Sequence, residues 1–275
     1  NRSNSNPEDI EYREGDSLKY LISANTKDTL MIFTNKGFMY QTKGINIPEM
    51  KWKEKGERLD RIIKTLNLEE EKIVSIISLD NLNPDKAFKF MTSRGGIKIT
   101  SLEKFKTSYT KLQALKLKEY DELISVNLKE LKDEEKNLKI KTKLGLEFTL
   151  EVPEIEEAGR NILPVQLFNL SDHDEVINVE EVEGIDYFEL NIGINEKGKL
   201  KAYKTVKEDL LKVKTNSLSE LMIFTNIGNV YKIPVFLMKK LMEEEVSVET
   251  FVGALDKKEK VVTLMSVNSY EEDTV

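Results

Sequence analysis

The chain has 275 residues, 39% apolar and 33% charged, and its 42 Lys and Arg against 49 Asp and Glu give a formal charge of −7. No run approaches the ~18 apolar residues of a membrane helix, and the opening Asn1-Arg2-Ser3-Asn4-Ser5-Asn6 lacks the basic and apolar regions of a signal peptide. Membrane and secretion readings are therefore poor. The absence of cysteine excludes disulfides, thiol nucleophiles and thiolate metal sites. The single histidine, His173 in Ser-Asp-His-Asp, reads as a solvated turn residue, which excludes histidine catalysis and multi-histidine metal sites.

In chain order, Leu18 to Ile22 reads as a short strand with no glycine unit before it, as if the sequence starts within a repeat. Leu30-Met31-Ile32-Phe33-Thr34-Asn35 follows, then Gly37, Tyr40 and Ile47-Pro48. The same string returns at Leu221 to Asn226, with Gly228, Tyr231 and Ile233-Pro234 in register. Weaker copies lie between them at Phe90 to Gly95, Ile140 to Gly145 and Ile194 to Gly198. The unit therefore occurs five times, with glycines 37, 95, 145, 198 and 228 spaced by 58, 50, 53 and 30 residues, so the fourth unit has lost a hairpin or loop. Each copy reads as strand, tight turn, strand, because the flanks alternate apolar and polar with period two, as in Ile97-Lys98-Ile99. A hairpin loop commonly ends in the left-handed region, where a Cβ is costly, and this accounts for the glycine.

A further strand closes most units, at Ile73 to Ile77, Leu123 to Val126, Val176 to Val179 and Val261 to Met265, usually after an acidic turn such as Asp121-Glu122 or Asp174-Glu175. The main helical candidates are Glu54 to Thr65 and Lys207 to Val213, and neither recurs in every unit. Strand-only repeats of about 50 residues indicate an all-β, propeller-like ring whose blades cover one another's apolar faces. Five blades are expected, with six as the alternative, and residues 1–275 read as one domain.

Charge is distributed unevenly. Residues 31–118 carry +8 and residues 119–200 carry −12, while the flanking segments carry −2 and −1. A basic sector can hold a polyanion on one side of an acidic protein. Enzyme motifs fail: Gly198-Lys199 lacks the upstream glycine and following Ser or Thr of a phosphate loop, Gly193 and Gly198 make no dinucleotide fingerprint, and no Gly-x-Ser-x-Gly elbow occurs. Carboxylate pairs among 49 acidic residues arise by chance, and none is set apart by an acid–base partner.

The repeated Phe-Thr-Asn-x-Gly-x-x-Tyr unit, the run Ile47-Pro48-Glu49-Met50-Lys51-Trp52-Lys53-Glu54-Lys55-Gly56 and the opening Ser5 to Asp16 resemble the C-terminal β-pinwheel of the A subunit of bacterial type IIA topoisomerases. The latter two look most like topoisomerase IV of Gram-positive bacteria. Gyrase A, the second choice, carries a Gln-Arg/Lys-Arg-Gly-Gly-x-Gly box that is absent from this chain. The resemblance implies a non-catalytic module, without cofactor or metal, that binds and bends duplex DNA on its outer rim without sequence specificity. It further implies a place in the bacterial cytoplasm. The partners would be the topoisomerase B subunit and the N-terminal catalytic core of the same polypeptide. A protein-interaction propeller using its acidic face is the reading from another class.

Duplex DNA carries one phosphate charge about every 1.7 Å of axis, so its surface demands spaced Lys and Arg. Lys51, Lys53, Lys55 and Arg58 are the leading candidates, the three lysines sharing a side if the segment is extended; Trp52 reads as a packing anchor. The second unit offers Arg94 in its turn and Lys104, Lys106 and Lys111 in the matching outer loop. Lys36 is the turn equivalent of Arg94, and Lys239 and Lys240 follow the last Ile-Pro. Lys197 to Lys207 is a weaker cluster among acids, while Glu151 to Glu157 and Glu180 to Asp186 would repel DNA and limit it to a partial bend.

Overall fold

The structure is a computed structural model and describes residues 14–51, 54–204, 211–268 and 270. Its regular secondary structure is mostly strand. β1 (Thr29–Thr34) and β2 (Phe38–Lys43) form the first hairpin, and β3 (Ile73–Leu79) returns antiparallel along β1. The pattern recurs with β4 (Lys86–Thr92), β5 (Gly96–Ser101) and, after β6 (Lys111–Gln113), the closing strand β7 (Leu123–Glu130). The third unit holds β8 (Asn137–Thr142), β9 (Glu147–Leu150), β10 (Val165–Gln166) and β11 (Val176–Val182). The fourth holds β12 (Glu189–Ile194), β13 (Lys199–Ala202) and β14 (Leu211–Asn216); the fifth holds β15 (Glu220–Thr225), β16 (Val230–Pro234), β17 (Val246–Ser247) and β18 (Val261–Val267).

These strands make five sheets among the described residues, one for each glycine. All five turn glycines have positive φ, from 71° at Gly198 to 87° at Gly228, as a loop ending in the left-handed region requires. The acidic turns have a structural purpose. In the first, third and fifth units the carboxylate before the closing strand accepts the hydroxyl proton of the turn threonine: Thr34 bonds Glu71, Thr142 bonds Asp174 at 2.8 Å, and Thr225 bonds Glu259 at 2.8 Å. In the second unit Asp121 instead takes the Ser93 hydroxyl and the Arg94 N–H, each at 3.0 Å. The closing strand and the hairpin are thereby tied at the turn.

The sheets exchange strands. β6, from the second unit's long connection, pairs with β2 of the first; β10, from the third, pairs with β5 of the second; β17, from the fifth, pairs with β13 of the fourth. Among the described residues two sheets have no fourth strand, the fifth, where β16 is at the edge, and the third, where β9 is. The connection that would supply one to β9, from β13 to β14, has only eight residues, against 25 between β9 and β11. The fourth unit has thus lost its loop, as the 30-residue spacing suggested, and not its hairpin. A 3₁₀ segment from the fifth unit, Val235–Met242, packs on β9 in that place.

Three sequence expectations fail. Leu211 to Val213 lie in β14, where alternation in Leu-Lys-Val-Lys-Thr outweighs helix propensity; residues 205–210 are outside the described set. The helix expected over Glu54 to Thr65 shortens to one turn, Leu59–Ile62, beyond which Ile63 and Leu66 are buried against the first sheet. Leu18 to Ile22 joins no sheet. Its apolar side chains are exposed, and Tyr20 alone is anchored, its hydroxyl donating to Ile73 O at 2.7 Å.

Between the first two sheets lies an aromatic core. Phe33, Phe88, Phe90 and Phe105 are fully buried, with edge-on contacts of 4.9 Å between Phe33 and Phe88 and 5.0 Å between Phe88 and Phe105. The third to fifth sheets share a separate, more aliphatic cluster.

Candidate nucleic-acid interface

The closing strands β3, β7 and β11 lie against one another, whereas β6 and β10 occupy the opposite edges of their sheets. The long connections that carry β6 and β10 therefore form the outer edge. On that edge, residues 102–111 are held firmly. Leu102 and Phe105 insert into the aromatic core, and the 3₁₀ turn Leu102–Phe105 begins with Ser101 Oγ accepting from Glu103 N–H. Gln41 of β2 donates its side-chain amide to Thr107 O at 3.0 Å and Tyr109 O at 2.7 Å. With Leu102 and Phe105 turned inward, Lys104 and Lys106 are left exposed.

The predicted lysines and arginines fall into three sets. Lys51, Lys55, Lys104 and Lys106 are exposed and have no carboxylate within ion-pair reach among the described residues. Glu54 N–H bonds Lys51 O at 2.9 Å; Lys53 and Trp52 lie outside the described residues, and with them the expected shared side of the three lysines.

Lys36, Arg58 and Lys111 are partly engaged. Lys36 is 3.8 Å from Glu122; Arg58 bonds Asp60 at 2.6 Å and Glu69 at 3.3 Å, which raises its pKa further. Lys111 lies 4.0 Å over the Phe38 ring and 3.7 Å from Glu71. The more exposed pairs of Lys36 and Arg58 are worth about 0–1 kcal/mol, so a phosphate can compete for these two cations, whereas Lys111 faces a buried carboxylate.

The third set holds the units together. Arg94 donates to the carbonyls of Ser171 at 2.9 Å, Leu170 at 3.1 Å and Asp174, all from the third unit. A guanidinium closed over three carbonyls has little left to offer a phosphate. Lys239 pairs with Asp186 at 2.6 Å, and Lys240 reaches Glu244 at 2.8 Å and Leu144 O at 3.3 Å.

The sequence charge overstates what solvent meets. Lys89 and Lys98, both counted in the basic sector, are 4% and 1% exposed. Lys89 is bound to Glu181 and lies 3.6 Å from Glu135, joining the second sheet to the third. Lys98 donates to Arg160 O at 2.7 Å and Ile162 O at 2.9 Å, and burial, with the nearby Arg160 charge, pulls its pKa down to about 8. In the acidic sector Lys139 and Lys141 are drawn onto Glu147, at 2.8 and 3.5 Å.

Sequence reasoning missed Lys43, at the end of β2, and Arg160, whose guanidinium donates to Gln113 O of β6 at 2.8 Å. Arg160 belongs by sequence to the acidic third unit, and only strand exchange brings it to the basic edge. His173 is exposed in a turn, as expected.

A family profile described as the DNA gyrase C-terminal domain, beta-propeller, matches residues 28–80, 90–128 and 219–236, which lie in the first, second and fifth units. The A subunit of DNA topoisomerase 4 from Staphylococcus aureus (strain MRSA252) is 33% identical over 181 residues, covering 65% of this chain and 22% of that protein. Its counterpart from strain NCTC 8325 / PS 47 is 32% identical with the same coverage. The chain thus spans about a fifth of the length of the curated relatives it matches. The crystal structure of the C-terminal domain of DNA topoisomerase IV has the same fold, with a TM-score of 0.52 at 21% identity over 88% of this chain and 80% of that one.

Proposed function

We propose that this chain, whose first, second and fifth units match the profile described as the DNA gyrase C-terminal domain, beta-propeller, is the DNA-binding C-terminal domain of a topoisomerase IV A subunit. The observation that carries the reading is the set of lysines in the long connections of the first two units, Lys51, Lys55, Lys104 and Lys106, which stand exposed without carboxylate partners among the described residues. Such lysines contact phosphates at any sequence, so binding is electrostatic and follows the backbone. The Lys104–Lys106 loop is fixed by buried Phe105 and by Gln41, so its charges need little reordering on contact. DNA follows the basic edge, bends there and leaves before the acidic third unit.

In this reading residues 1–275 act as one non-catalytic module in the bacterial cytoplasm. It positions duplex DNA for strand passage by the catalytic core of the same polypeptide, working with a B subunit. The missing glycine-rich box favours topoisomerase IV over gyrase. Titration of a fluorescent 40-base-pair duplex at several salt concentrations tests the reading. Affinity should fall steeply, with a log–log slope of about −0.9 per phosphate contacted. A chain that shows no binding at low salt would refute it.

A further inference from the structure

A cleft of about 410 Å³ opens between the first and second units, beside the outer edge. Its polar wall includes Lys43, Thr42, Lys106, Thr107 and Ser108, its floor includes Met31, Leu79 and Phe105, and no Asp or Glu lines it among the described residues. The wall is rich in donors. Lys43 Nζ gives one bond, to Thr29 Oγ1 at 2.8 Å, which leaves two ammonium protons, and Lys106 has no ion pair among the described residues. The Thr42 hydroxyl already accepts from Asn46 Nδ2 at 3.1 Å and the Thr107 hydroxyl from the Tyr109 N–H at 3.1 Å, so both have their own protons to donate. Gln41 fixes the Thr107–Tyr109 backbone, so the wall is preformed.

The molecule supplies its own control. A corresponding cleft of about 260 Å³ is built from the end of β9, the residues after β11 and the fifth unit's hairpin, and it is lined by Glu151, Asp186 and Glu220. The fold at this place therefore does not require lysines or forbid carboxylates; the first cleft differs in chemistry. Two ammonium groups and three hydroxyls around a carboxylate-free opening match an anion that only accepts hydrogen bonds. The apolar floor suits a carbon-bearing ester rather than a bare inorganic ion.

We propose that this cleft seats a phosphate ester on Lys43, Lys106 and the hydroxyls of Thr42, Thr107 and Ser108. The ester is either a backbone phosphodiester of duplex DNA, which rests on the function proposed above, or a free nucleotide, which does not. The test compares wild type, K43Q/K106Q and the control K257Q/K258Q, which removes the same charge from exposed lysines far from the cleft. Each is titrated with a 40-base-pair duplex over a salt series and with thymidine monophosphate followed by NMR, and melting curves confirm that all three fold.

With the phosphodiester as ligand, K43Q/K106Q loses about tenfold or more in duplex affinity and about 2 units of salt slope, while the control changes little. Saturable thymidine monophosphate binding that disappears only in K43Q/K106Q identifies a free ester instead, and upholds the cleft even where wild type ignores the duplex. The proposal falls if K43Q/K106Q matches the control on duplex and neither gains nor loses nucleotide binding. Failure of wild type to bind duplex refutes only the DNA-binding reading.

Discussion

The first two units and the last three are built from the same repeat but solve its packing differently. In the first two, each sheet receives a fourth strand from the next unit, and the turn glycine is pressed against that incoming connection. A Cβ on Gly37 would sit 2.5 Å from Leu115 O, and one on Gly95 would sit 2.7 Å from the Phe168 ring. In the later units the turns are open: Gly145 and Gly198 have nothing nearer than 3.4 Å, and Gly228 has nothing within 4 Å. Among the described residues the third and fifth sheets have no donated strand, whereas the fourth receives β17. Charge follows the same division, with a carboxylate-free cleft in the first half and three carboxylates in its counterpart. A shared repeat thus leaves each unit free to vary its connection, and the connections decide both rigidity and charge.

The strongest way to break this contrast is in the aromatic core. Phe105→Ala should destabilise the chain by about 3–5 kcal/mol in urea unfolding, because a fully buried ring leaves a cavity among Phe33, Phe88 and Phe90. Phe236→Ala, at the half-buried ring packed 5.5 Å from Phe148, should have the smaller effect. Arg94→Met leaves three carbonyls without their donor and should lose roughly 3 kcal/mol, while duplex affinity changes little once folding is restored. A large fall in affinity with unchanged stability would return Arg94 to the DNA-binding set.

The turns sharpen the comparison further. Gly37→Ala should cost about 2–3 kcal/mol, combining the left-handed strain with a backbone clash, whereas Gly228→Ala should cost about 1 kcal/mol from strain alone. Equal melting temperatures for the two variants would contradict the packing difference.

The last effect concerns pH. Lys98 is depressed to about 8 in the folded chain against an ordinary lysine value near 10.4, so between these values the unfolded state holds the extra proton and stability rises with pH. Wild type should gain about 2 kcal/mol relative to Lys98→Met from pH 8 to pH 10, and parallel pH profiles would contradict the burial effect.

Much of this was legible in the sequence. The five glycines and the alternating flanks located every hairpin, since left-handed turns and half-buried strands leave local signatures. β14 was legible too, in Leu-Lys-Val-Lys-Thr, but the basic and acidic run before it drew the reading toward a helix. The donated strands β6, β10 and β17 were hidden, because two or three residues carry no periodicity and their partners lie in another unit. The same exchange hid Arg160 and made Arg94 look exposed. Burial of Lys89 and Lys98 likewise left no sequence mark, as each alternates with apolar neighbours just as a surface lysine on a strand would.

Hydrogen exchange of the whole chain with and without a 40-base-pair duplex tests most directly whether the basic half is the DNA-binding half. Protection should appear in residues 41–46 and 104–111, with residues 147–157 and 180–186 unchanged. Protection confined to the acidic segments, or absent from the first two units, would contradict it.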